Sequence, residues 1–400
     1  MAAKTRRRRN ACAFRLLHKR DTQSSLYRAR RTWDCLTRLT GRRPGGNRKR
    51  NIVMITRKRA LALVLAFACI GSPALAKPKI VEFDVPGAGV GANQGTMPGG
   101  IDAKGDIVGS YIDSAGQYHG FVRKPDGSFT FYDASTSGAS GINARRQTTG
   151  YAVVSGVQHG FVAASDGTIA LFDVADSTSG GGVDINIKKD VAGLYQDANF
   201  AVHGFLRNKR GKIAKFDAPG AGVTAGRGTY VSHISRDDLI SGYFTTDSNV
   251  RHGFVRDAGG TITTVDPAGS IRTSLYSVND DDTVVGNYRD ASSVLHGIIR
   301  TVDGAIVTVD APGAGTGSLQ GTSLLGINDR NFTAGVIIDS SNVEHPFLRT
   351  PAGKVTVFDP PDAALTSGLG SLVLGINKKN EITGYYYDAN GAYHGYVRTP

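Results

Sequence analysis

Seven histidines recur along the chain at intervals of 40 to 49 residues: His119, His159, His203, His252, His296, His345 and His394. Five open a His-Gly-aromatic tripeptide; the others read His-Gly-Ile at 296 and His-Pro-Phe at 345. Imidazoles so repeated could ring a metal ion or act as general bases near neutral pH. A residue that every repeat carries is demanded by the repeat itself, so we expect a structural role. The side chain would bond to a neighbouring strand or a turn carboxylate, and the glycine would allow close backbone approach. Pro346 has no N–H, which predicts either an unpaired amide at that position in every repeat or a bulge in that strand. A second series is the carboxylate four residues after a strand glycine: Asp113, Asp197, Asp290, Asp339 and Asp388, with Asp247 displaced by one. These could converge on a cation or a sugar, although an aspartate opening a hairpin commonly caps its own turn. They are the candidate ligand-face residues. The run Asn279-Asp280-Asp281-Asp282 lacks the glycine and distal glutamate of a calcium loop and reads as a turn. Gly-x-Ser-x-Gly and Gly-Lys-Ser/Thr signatures are missing from the repeats, so no catalytic, cofactor-binding or metal-binding residue is assigned and no cofactor is expected.

The elements that must position these residues are repeated too. Ten residues before each histidine (nine in the second repeat) stands a glycine in a strand-like run: Gly109, Gly150, Gly193, Gly242, Gly286, Gly335 and Gly384. An Ile-Asn-like pair precedes it (as in Ile142-Asn143 and Ile376-Asn377), and an apolar residue followed by Asp comes after it (as in Phe172-Asp173 and Phe358-Asp359). Nearly all length variation lies between that Asp and the next Ile, where the spacing runs from 9 to 17 residues. The rest reads as four short strands, exemplified by 323–328, 333–339, 344–349 and 354–359, with Asp-Gly hairpin turns between third and fourth. No segment keeps a 3.6-residue period. Seven such units predict an all-β, seven-bladed β-propeller of four-stranded antiparallel blades over 77–400, in which an N-terminal strand near 79–84 completes the last blade.

Charge separates this body from what precedes it. The chain of 400 residues carries a formal +13, but residues 1–76 hold 20 of the 47 basic residues and two acids, so 77–400 has 27 basic against 32 acidic residues. A nucleic-acid partner loses its basic footprint on the body. Cys12, Cys35 and Cys69 all lie before residue 77, which excludes disulfide, thiol and Cys-zinc chemistry from the repeats. Residues 54–76 read as a signal peptide: Arg57, Lys58 and Arg59, an apolar run over 60–70, and an Ala-x-Ala exit at Ala74 and Ala76. An apolar run of about 11 residues is too short to span a bilayer, so no membrane partner is expected once it is removed. Residues 1–53 read as a basic, disordered extension or as the product of a start placed too early, with Met54 the initiator. The expected address is secreted or periplasmic.

The repeat resembles the HAF-type extracellular repeat proteins of bacteria, in a His-Gly-Phe variant. The resemblance rests on the tripeptides and on preceding stretches such as 375–386, GINKKNEITGYY, and covers about 79–400. It departs from the family pattern in the tripeptide's middle residue, Gly or Pro346 in place of Ala. It implies an exported propeller-type repeat protein and no particular reaction. The expected function is a binding or interaction module for a carbohydrate or surface protein. The alternative is a polysaccharide-active hydrolase or lyase, for which Glu344, Asp237, Asp238 and Arg227 are repeat-breaking candidates. Geometry predicts that the Asp-bearing hairpins and the variable connections share one end of the blades.

Overall fold

The computed structural model describes residues 78–132 and 136–400, where 28 strands occur without a helix. The basic extension, the signal peptide and Asp133 lie outside the described residues. Each histidine marks one four-stranded antiparallel unit, named below by that histidine. In the His203 unit the strands are Ser179–Ile185, Val191–Gln196, Val202–Arg207 and Ile213–Phe216, each paired with the next. In the His345 unit they are Gly321–Ile327, Thr333–Ile338, Glu344–Arg349 and Val355–Val357. The fourth strand is shorter than the sequence suggests, because only Phe347, Leu348 and Arg349 find partners on it.

The tripeptide owes its form to packing. Its third residue is the centre of each unit's core: Phe121, Phe161, Phe205, Phe254, Ile298, Phe347 and Tyr396 are all 0–1% exposed. In four units the middle glycine lies under the aromatic ring at the end of the fourth strand, and in the His252 and His296 units a leucine and a fourth-strand carbonyl take that place. A Cβ at Gly204 would stand 2.7 Å from the Phe216 ring, and one at Gly395 2.8 Å from that of Phe83. Four residues after the histidine, Arg123, Arg207, Arg256 and Arg398 place their guanidinium groups 4.5–5.0 Å over Phe83, Phe172, Phe216 and Phe358. Each of these rings belongs to the preceding unit or, for Phe83, to the strand that completes the His394 unit. The contact is therefore a cation–π latch between units.

Pro346 follows neither alternative drawn from the sequence. It stands opposite Val336 with no register shift, so the strand does not bulge. In the His119 unit the equivalent amide, Gly120 N–H, donates to the Ser137 hydroxyl of the next unit at 2.9 Å, so it is not unpaired. In five units the equivalent glycine pairs with the last residue of the fourth strand, as Gly204 does with Phe216. In the His345 unit that rung is missing and pairing stops at Phe347 opposite Val357, so the proline costs the ladder one N–H bond.

Every unit's first strand carries a bulge just before the Ile-Asn pair, as between Val231 and His233 or Leu275 and Ser277. The extra residue bends and twists that strand. First strands of consecutive units touch one another, and Ser371–Ile376 of the His394 unit touches Gly95–Ile101 of the His119 unit. The Asn of the Ile-Asn pair links them. Its Oδ1 accepts N–H groups of its own turn, and its Nδ2 donates across to the next unit's carbonyl: Asn143 to Asn186 (2.8 Å), Asn186 to Ser235 (3.1 Å), Asn279 to Asn328 (3.2 Å), Asn328 to Asn377 (2.8 Å) and Asn377 to Asp102 (2.8 Å). The last unit reaches the first in a second way. Lys79–Phe83 pairs antiparallel with Tyr393–Thr399, from Lys79 opposite Thr399 to Phe83 opposite Gly395, and supplies its fourth strand.

Candidate functional site

The six candidate aspartates lie on the hairpins between second and third strands. Asp113, Asp197, Asp290, Asp339 and Asp388 turn Oδ1 back to accept two backbone N–H groups, two and four residues on, at 2.8–2.9 Å. Their Oδ2 atoms lie 3.1–3.8 Å from the Nε2 of His119, His203, His296, His345 and His394. In six units Nδ1 makes the closer contact. Nδ1 of His159, His203, His252, His296, His345 and His394 faces Asp173, Asp217, Asp266, Asp310, Asp359 and Asp84 at 2.6–3.0 Å. Five of the rings also stack on an aromatic residue, Tyr111, Tyr195, Phe244, Tyr288 or Tyr386, at 4.8–5.1 Å. The amide of Gln117, then the His119 imidazole, hold Asp113 below the usual carboxylate range. The amide of Val294 does the same for Asp290. These carboxylates and imidazoles clamp the hairpin to the edge of the sheet.

Asp247 is different in kind. Its Oδ1 accepts from Val223 N–H (3.0 Å), Thr224 N–H (3.2 Å) and the Thr224 hydroxyl (2.8 Å), so it holds the connection that enters its unit. The Thr224 hydroxyl chiefly keeps it below the usual range. Long connections also bond to hairpins through their backbones, Gly222 N–H to Thr245 C=O and Gly226 N–H to Phe200 C=O, each at 2.9 Å. The hairpins and the connections therefore occupy the same end of the strands. Of the repeat-breaking candidates, Arg227 lies at this end, donating to Asn249 at 2.7 Å. Asp237 and Asp238 lie at the other, where Asn186 donates to Asp238 at 2.7 Å.

Residues that break the repeat gather at the hairpin end, and sequence reasoning missed most of them. Tyr230 and Tyr243 stack at 4.9 Å, with the Arg251 guanidinium 3.9 Å over the Tyr243 ring. Arg272 and Arg289 stand directly opposite each other in the His296 unit. Burial first, then the nearby Arg251 and Arg289, bring Arg272 down to about 10. Elsewhere on this end Tyr385, Tyr387 and Tyr393 cluster with ring centroids 5.3–5.6 Å apart. Burial lifts the neighbouring Glu344 to about 7. Glu344 and Arg227 could be singled out from the sequence. The tyrosines and arginines become a group only when strand register brings them together.

No family model matches the chain, and no curated protein matches its sequence. Solved structures do. A streptogramin B lyase is 11% identical, covering 81% of this chain and 98% of its own, with a TM-score of 0.52. An oligogalacturonate lyase in complex with manganese is 10% identical over the same shares, with a TM-score of 0.54. The BP39L lectin from Burkholderia pseudomallei is 11% identical, covering 74% of this chain and 93% of its own, with a TM-score of 0.49. At such identities the likeness to the two lyases shows a β-propeller-type scaffold and nothing of activity.

Proposed function

We propose that residues 77–400 form a closed seven-bladed β-propeller of a HAF-type exported repeat protein, acting outside the cytoplasm as a binding module for carbohydrate. The contact of first strands from unit to unit, the Asn377–Asp102 link and the pairing of Lys79–Phe83 with the last unit all support closure. The ligand meets the hairpin end. One observation carries this reading: there the repeated carboxylates are occupied by their own turns and histidines, while the repeat-breaking Tyr230, Arg251, Arg272 and Arg289 collect beside them around Tyr243. Stacked aromatic rings with polar edges suit sugar faces.

Glu344 favours a second reading, a polysaccharide-active hydrolase or lyase. A carboxyl poised near neutrality beside Tyr385 and Tyr387 suits general acid–base work. The two separate in one experiment. The purified full chain is screened on a glycan array, and bound polysaccharides are assayed for new reducing or unsaturated ends. Retention without product supports the module. Product formation that Glu344→Gln abolishes replaces it with the enzyme, and retention of no glycan overturns the carbohydrate reading.

A further inference from the structure

Three arginines break the repeat at one junction, between the His252 and His296 units. Arg251 opens the third strand of the first unit, Arg251–Arg256. Arg272 opens the first strand of the next, Arg272–Val278, and Arg289 closes the second, Val284–Arg289. The fold does not need them. At the position of Arg272 the units with long connections carry glycine, as in Gly95, Gly228 and Gly321, opposite Ile112, Thr245 and Ile338, and the other units with short connections carry Thr136 and Ser179, opposite Val153 and Gln196. Placing like charges directly opposite in a sheet is unfavourable. Among the described residues none of the three forms an ion pair with a carboxylate, although the body as a whole has more acids than bases.

The surroundings are those of a site built for an anion. Arg251 is oriented by the Tyr243 ring at 3.9 Å and by donation from Nη1 to Ser274 Oγ at 3.2 Å, while its Nε is buried without a partner. Arg272 and Arg289 are half-buried on the neighbouring sheet. The connection entering the His296 unit is one of the short ones, with Val278 twelve residues after Asp266. Where the connection is long, its end is bridged to the preceding third strand, as Gly228 is to Val202. No such bridge crosses the Arg251–Arg272 junction among the described residues. Guanidinium groups fork onto paired oxyanion atoms, and here the Tyr243 ring, itself stacked on Tyr230, backs the Arg251 fork.

We propose that this junction is a subsite for an acidic saccharide, a sugar whose carboxylate or sulfate is gripped by Arg251, Arg272 and Arg289. The proposal rests on the binding-module reading and deepens it. The test is calorimetric titration of the full chain with oligogalacturonate, its methyl-esterified neutral counterpart, a sulfated glycosaminoglycan fragment and inorganic sulfate. We expect at least one acidic oligomer to bind, the neutral one to bind tenfold or more weakly, and affinity to fall with added salt. Whichever acidic oligomer binds identifies carboxylate or sulfate as the recognised group. Inorganic sulfate binding as tightly as either oligomer would overturn a saccharide site. Arg272→Gln with Arg289→Gln should reduce binding tenfold or more, and Arg251→Lys, which keeps charge but loses the fork, should reduce it measurably. The lysine pair Arg272→Lys with Arg289→Lys serves if the glutamine pair does not fold. Equal binding of acidic and neutral oligomers, or arginine variants that bind like the parent, would overturn the subsite and leave the module standing. No binding in any arm overturns the subsite, and the glycan array then decides the module separately.

Discussion

At Asp113, Asp197, Asp290, Asp339 and Asp388 one carboxylate oxygen accepts two backbone N–H groups while the other faces a histidine, so these side chains are spent on the fold. Their ionised form is the one the fold needs. Asp113 and Asp290 sit below their ordinary value, so their contribution is fully present above the unfolded value near 4 and is lost as pH falls through the depressed folded values. The urea midpoint should therefore drop on acidification below about pH 4. Asp113→Asn with Asp290→Asn keeps an acceptor oxygen without the titration and should flatten that limb. Glu344 has the opposite sign. Burial raises it to about 7, so its ionisation opposes folding increasingly from pH 4.5 to 7. Glu344→Gln should change little at pH 4 and stabilise by about 1–3 kcal/mol at pH 8, read from denaturant unfolding at both values. The histidines and aspartates were legible because their types recur at fixed spacing. The arginine trio was not. Arg251, Arg272 and Arg289 are unremarkable in the linear chain and meet only through cross-strand register, which spacing does not reveal.

Strands and turns were read well where side-chain pattern decides them, and less well where backbone geometry does. Expected and observed limits agree to within a residue for the second and third strands of the His345 unit, because glycines and the buried Phe347 fix them. The sequence also located the variable connection. It did not show that the long form ends in a parallel bridge to the preceding unit, since that depends on one glycine's backbone. Gly228 has φ of +122°, and a Cβ there would overlap the Val202 carbonyl oxygen, which is main chain and cannot step aside. Gly228→Ala should destabilise by about 2–4 kcal/mol in denaturant unfolding. Gly116, also at positive φ but with no atom within 4 Å of a Cβ, should lose only about 1 kcal/mol as alanine.

Across the whole molecule, the asparagine ladder is interrupted where the motif is. Ser235 turns its hydroxyl to Asp282 at 3.1 Å, so its unit is linked by other means. Asp102 offers no amide, and its Oδ2 is buried without a partner. By the repeat, an amide nitrogen there would reach the Asn143 carbonyl, and Asp102→Asn should add about 0.5–1.5 kcal/mol, seen as a higher melting temperature by calorimetry. The order of the landmarks already placed the first strand beside the last. What it left hidden was the function of the Ile-Asn pair, since a side chain that bonds 43 to 52 residues away leaves no local trace.

The pairing of Lys79 with Thr399 also fixes how the body responds to pulling. Force applied at these two residues draws apart neighbouring ribbon ends on the same side, so the rungs open one after another, as in a zip, and share none of the load. Single-molecule stretching between these positions should give an early, low-force release of about five residues. The remaining sheets should then yield in separate, higher steps.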